Sequence, residues 1–351
     1  MSSSLFTHGN NSTSALVSVK NVEYAFDFRQ ILLPIYLLYT IPSFIAYHKC
    51  RKFLSHSSSY FNVIFTNDFC INVALFIIDL LFTRLPISGL LVDLPSLVPE
   101  GPILTAIFFL SYYLIYANFY SITLICLNRM SSVVFPYSSN AVGFSRPRFF
   151  IEHTCFQFWQ QFHVPAIGLI YILPLLTTWQ MWTYQPYFLP LYEYRSSYQL
   201  VYRPTILLGF LPRNSTSLCF ISILLSVVCV FANFATILKY KKTIQSLVAQ
   251  NEFHRKRTRR VELAMFSIAL TVCLSLVLQA VLQALIMVFT GSSTLIRATC
   301  QDLRAFALDI AICCPPWILY YTTVHSHKTT ISTSSAVHSG AGVPAKTLVM
   351  T

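Results

Sequence analysis

Seven apolar runs, each long enough to cross a bilayer as a helix, constrain this 351-residue chain more than any other feature. About 20 consecutive apolar residues span the hydrocarbon core, where every backbone amide must find its partner inside the chain. The runs lie near 30–48, 64–92, 103–127, 163–182, 217–238, 262–289 and 303–323. They predict an all-α membrane protein, a seven-helix bundle. An odd number of crossings places the two ends on opposite sides.

The composition agrees. Hydrophobic residues make up 55% of the chain and charged residues 10%, against roughly 25% charged in a soluble domain. The net charge of +12 does not point to nucleic acid, because the cations are distributed by topology. Of 24 Lys and Arg, 16 fall in alternate gaps and the tail, including Lys49, Arg51, Lys52, Arg129, Arg146, Arg148 and the KYKK and HRKRTRR strings. The other 8, with Arg84 near the end of the second run counted among them, go with the outer segments. Positive charge gathers on the cytoplasmic side, so the N-terminus is expected outside and the C-terminus inside, with the bilayer as the partner of the basic charge. Glycosylation sequons at Asn10, Asn11 and Asn214 all fall in the segments expected outside. The organisation expected is an outer segment 1–28, a seven-helix domain 29–325, and a Ser/Thr/Gly-rich disordered inner tail 326–351. Residues 1–28 carry no apolar core of a signal peptide, so the first span is expected to direct insertion.

Most of the ten cysteines lie within spans, where Cys acts as a small apolar residue. Cys219 and Cys300 are the pair near the outer surface, either bridged or free. No internal repeat is visible. The outer segment 183–216 is rich in Tyr and is read either as an interfacial aromatic belt or as a cap on the bundle.

Polarity inside the runs is sparse. Asp79 and Asp309 are intramembrane carboxylates, costly unless paired and therefore candidates for function. They could meet with Asn118 or Asn233 in a polar cluster; a packing lock between helices is the other reading. Tyr113, Tyr116 and Tyr120 share one helix face. That stripe either faces a small ligand, with Gln279 and Gln283 opposite, or packs against neighbouring helices. Pro315 and Pro316 form the best hinge candidate among the prolines within spans. At the foot of the third run, Asn128–Arg129 ends a stretch without charge. Arg129 is read as an interfacial anchor or as a switch held in one state and released in another. The basic string with Arg255, Lys256 and Arg257 is a solvated face or a docking surface for an intracellular partner.

Nothing indicates catalysis. No P-loop, H-E-x-x-H, G-x-S-x-G or CxxC pair occurs, and the histidines are not grouped at metal-ligand spacing. Neither a metal nor a cofactor is expected.

The arrangement around Arg129 resembles seven-helix G-protein-coupled receptors, with Asn128 where those carry an acid, so the Arg–carboxylate lock is missing. The strings CLNRMSSVVFP, Phe158–Trp159, LPLLTTW ending at Trp179, and Pro315–Trp317 resemble the nematode serpentine chemoreceptors of class gamma (Srg) and their superfamily, over roughly 25–325. The stretch from Tyr137 to Gln157 is longer than in that pattern. The resemblance implies a chemosensory receptor that binds a small-molecule chemical cue and signals through a heterotrimeric G protein. It also implies a place in the plasma membrane, in the sensory cilium of a chemosensory neuron. A channel or transporter for a small solute is the alternative, as is a non-signalling family member. Polar residues are too few to line an ion path.

Overall fold

The computed structural model describes residues 28–54, 60–91, 93–134, 149–190, 197–203, 214–246, 252–289 and 294–325. Seven long helices form the bundle: α1 (Phe28–Leu54), α2 (Tyr60–Asp79), α3 (Pro102–Val134), α4 (Phe149–Thr178), α5 (Asn214–Ser246), α6 (Glu252–Val288) and α7 (Thr294–Leu319). Each carries a stretch long and apolar enough to cross a membrane, from Arg29–Arg51 in α1 to Thr299–Thr322 in the last. The helices outrun the apolar runs at the polar ends, because hydropathy marks the hydrocarbon boundary and not the end of hydrogen bonding. Thus α3 continues to Val134 and α6 begins at Glu252. The expectations at Asn10, Asn11, the tail 326–351 and most of the long stretch after Tyr137 fall outside the described residues, as do the side chains of Arg255, Lys256 and Arg257.

Packing places α3 at the centre, against α2, α4, α5 and α6, while α7 packs on α6 and α1. Tyr116, Phe108, Phe119, Ile122 and Leu276 build the main core. A second cluster around Tyr47, Phe65, Ile125 and Trp159 fills the end near Arg129. Large side chains such as Leu38, Leu176, Phe231 and Val288 point outward. A bilayer solvates such a surface, whereas water would not.

At the other end, β1 (Gln185–Pro190) and β2 (Tyr198–Arg203) form an antiparallel hairpin. Tyr202 stacks on Tyr184 at 4.8 Å and touches Phe108 at 5.4 Å. The described part of the Tyr-rich segment therefore caps the bundle, and some of its aromaticity is spent on the core. Burial raises the Tyr184 phenol above its ordinary value.

The second helix departs from a plain α-helix. After Asp79 comes a wide turn, Leu80–Arg84, in which Leu85 N–H donates to Leu80 O five residues back, and then a further α-turn, Leu85–Ser88. The cause is local. Pro86 has no N–H to give, and its ring collides with the carbonyl four residues earlier. The helix stops at Gly89, whose φ of 75° is the left-handed conformation that a residue without a Cβ adopts most readily. Arg84, expected in an outer segment, thus lies within the second span and is only 5% exposed. Removing it from the outer set widens the charge asymmetry read from the sequence.

Candidate functional site

Arg84 organises the site. In a plain α-helix, residue i+5 sits about 140° around the axis from residue i. The wide turn removes that offset, and Arg84 Nε reaches Asp79 Oδ2 at 2.6 Å. The two terminal nitrogens form a fork on Asp309 of α7, at 2.8 Å to Oδ2 and 2.7 Å to Oδ1. Planar, two-pronged pairing is the strongest geometry a guanidinium offers a carboxylate. Tyr39 of α1 donates its hydroxyl to Asp309 Oδ2. The Tyr36 ring lies 4.3 Å from the guanidinium carbon and the Phe76 ring 5.4 Å. The two acids singled out from the sequence do meet, but an arginine joins them, and neither Asn118 nor Asn233 takes part. Asn233 instead donates to Cys229 O at 2.9 Å.

Asn118 belongs to a second polar cluster, which joins α2 to α3. It donates to Asn72 Oδ1 at 2.6 Å; Asn72 donates to Asp68 Oδ2 at 2.9 Å; Ser121 donates to Asp68 Oδ1 at 2.7 Å. Asp68 is 4% exposed and is not among the acids singled out from the sequence. Its signal is present all the same: eleven residues separate Asp68 from Asp79, about three turns, so both acids lie on one helix face.

Between the cluster and the hairpin is a cavity of ≈ 120 Å³. Asp79 and Phe82 come from the second helix, Phe108, Ser111 and Tyr112 from α3, Gln199 and Leu200 from β2, Gln279 from α6, and Gln301 and Arg304 from α7. Gln199 Nε2 donates to Gln301 Oε1 at 2.7 Å, tying the hairpin to α7. Beside it, Arg29 of α1 pairs with Asp302 at 3.1 Å.

The tyrosine stripe is corrected in detail. None of Tyr113, Tyr116 and Tyr120 lines this cavity. Tyr113 donates to Tyr171 O of α4 at 3.1 Å. Tyr116 is fully buried, its hydroxyl 3.4 Å from Asn214 Oδ1. Tyr120 packs beside Ala117 and Ile170. The packing alternative holds for all three, and Tyr112, one residue along, takes the cavity. Gln279 lines the cavity, and Gln283 accepts from Arg304 Nη1 at 3.1 Å.

Burial bears on the sequon at Asn214, and the Cys219–Cys300 pair takes the free one of its two readings. Asn214 opens α5 with no exposed surface, so its amide has no room for a glycan in this fold. Cys219 and Cys300 are both free and buried, on helices that α6 separates.

At the opposite end, Asn128 is buried and Arg129 half-buried near the foot of α3. Trp159 donates to Ser131 Oγ at 2.7 Å, so it fastens α4 to α3 just beyond Arg129. Pro315 and Pro316 are buried within an unbroken helix, and Pro316 O accepts from Cys50 Sγ at 3.5 Å. A second wide turn, Tyr320–His325, follows. Trp317 donates to Ser43 Oγ of α1 at 2.9 Å.

A search of curated proteins found no match. A family model described as "Serpentine type 7TM GPCR chemoreceptor Sru" matches residues 17–327, well over half of the chain. The class matched is Sru, where the residue strings pointed to class gamma. This family is not one of enzymes, and its members cross the membrane seven times, as the seven apolar helices here do. The chain therefore belongs to the serpentine type 7TM GPCR chemoreceptor family Sru and is a multi-pass membrane receptor for chemical cues.

Proposed function

We propose that the receptor sits in the plasma membrane with its N-terminus and hairpin outside, takes a small molecule into the cavity beneath the hairpin, and signals to a heterotrimeric G protein at the opposite end. The observation that carries this reading is that Asp79 belongs to both the cavity and the Arg84 cluster. A ligand touching Asp79 acts directly on the ion pairs that join α2 to α7. If it binds one arrangement of those pairs better than another, it shifts the population between them. Pro315 and Pro316 serve as the hinge of α7. The inner docking surface comprises Asn128, Arg129 and the α6 start with Arg255, Lys256 and Arg257. In a sensory neuron the cilium is the corresponding compartment.

The test is expression with a heterotrimeric G protein and a calcium or cyclic-nucleotide readout against a library of small water-soluble and volatile compounds. Arg129→Ala is expected to abolish the response while surface expression persists. A response that survives removal of the G protein would sink the mechanism. Orientation has its own check. Glycosidase should shift the mobility of the wild-type chain and of Asn214→Gln equally, and leave the Asn10→Gln/Asn11→Gln variant unmoved. A glycan dependent on Asn214 would contradict its burial.

A further inference from the structure

The walls of the cavity carry an uneven charge pattern. Asp79 spends Oδ2 on Arg84, and its other oxygen has no hydrogen-bond partner among the described residues. Its side chain is 16% exposed and lines the cavity. Arg304 spends Nη1 on Gln283 and makes no ion pair with a described carboxylate. It too is half-buried and lines the same cavity. Arg84 faces two carboxylates, Asp79 and Asp309, which leaves one negative charge over. Arg304 offsets it with one positive charge. The cavity is therefore close to neutral as a whole and strongly dipolar, with an acceptor on the α2 wall and unspent guanidinium donors on the α7 wall.

We propose that this cavity binds a small zwitterion of the amino-acid class, its ammonium on the free oxygen of Asp79 and its carboxylate on Arg304. The proposal rests on the reading above that the cavity is the ligand site. A simple amine would satisfy Asp79 and leave Arg304 without an anion; a simple carboxylate would do the reverse. In a site shielded from water, an unmatched charge is expensive. A zwitterion matches both walls at once. The remaining nitrogens of Arg304 suit the two-pronged pairing that a carboxylate allows. At ≈ 120 Å³ the space falls well below the roughly 300–1,000 Å³ of pockets for drug-sized ligands, so the carbon skeleton is short. Phe108 and Leu308 give that skeleton apolar walls, and Ser111 adds a hydroxyl.

The experiment uses the full-length receptor in lipid nanodiscs and follows its thermal unfolding. The probes are alanine, β-alanine and γ-aminobutyrate, with n-butylamine and butyrate as single-charge controls. At least one zwitterion should raise Tm saturably, with a midpoint at least about tenfold lower than either control, a free-energy difference of about 1.4 kcal/mol. Arg304→Gln should weaken that zwitterion about tenfold or more, and Arg304→Lys should recover part of the loss. Asp79→Asn should weaken it too, but this variant also disturbs Arg84, so the outcome rests on the two Arg304 variants. The proposal is overturned if an amine or carboxylate alone stabilises equally well, if no zwitterion acts, or if Arg304→Gln changes nothing. The G-protein assay separates the two readings. Coupling to some other compound with inert zwitterions retires the ligand class alone. Zwitterion binding without G-protein dependence retires the coupling alone.

Discussion

Arg84→Gln is expected to leave little folded receptor at the cell surface. The substitution strips the buried Asp309 and the partly exposed Asp79 of their shared cation, and breaking a buried ion pair from one side costs about 3–5 kcal/mol. Here the loss falls on the contacts that join α2, α7 and, through Tyr39, α1. The triple variant Arg84→Met/Asp79→Leu/Asp309→Leu should recover much of the yield, since apolar replacement of a whole buried ionic cluster is often neutral or stabilising. That variant should fold and yet fail to respond, because the element proposed to switch is gone. Arg84→Lys should fall between, keeping the charge and losing the fork. Surface yield and thermal unfolding in detergent decide the matter. An Arg84→Gln receptor that unfolds within about 1 kcal/mol of wild type would show that the cluster is not what holds α2 to α7.

The second large effect is expected at Asp68. Asp68→Ala leaves the Asn72 amide and the Ser121 hydroxyl without their acceptor inside the bundle. Each orphaned donor costs about 1–3 kcal/mol. The relay from Asn118 through Asn72 loses its end point at the same time. Asp68→Asn keeps one acceptor oxygen and should lose less than half as much. Both are read by thermal unfolding of the purified receptor. Equal loss from the two substitutions would mean that the charge, and not the hydrogen-bond acceptor, is what this site requires.

Residue by residue, the sequence was most legible where hydrophobicity acts alone. All seven crossings followed from run length, and only their polar ends differ, because a helix such as α6 goes on hydrogen bonding from Glu252 before its apolar part begins. Asp79 and Asp309 were legible because an intramembrane acid is expensive wherever it points. Arg84 was not, since a cation five residues after an acid near the end of a long run reads as loop. Only the wide turn brings it back under Asp79, and the signal for that turn is Pro86, a single residue. The tyrosines of α3 show the same limit. Periodicity put Tyr113, Tyr116 and Tyr120 on one face, but it does not say what each meets along that face. Neighbours decided that: α4 took Tyr113 and the core took Tyr116. The hairpin was legible as an aromatic segment and not as strands. Its role at the cavity depends on Gln199 meeting Gln301, more than a hundred residues later.

The pairing of Arg84 with Asp309 also imposes an order on biosynthesis. The second helix enters the membrane carrying Asp68, Asp79 and Arg84, each a residue that inserts reluctantly. Asp79 is at hand from the start, but Asp309 lies midway along the seventh crossing. Until that helix is in place, the guanidinium holds only one of its two carboxylates. A chain cut short before α7 therefore presents a half-paired cation within its membrane domain, the kind of lesion that retention in the endoplasmic reticulum selects against. The seventh helix is the one that certifies the first pair.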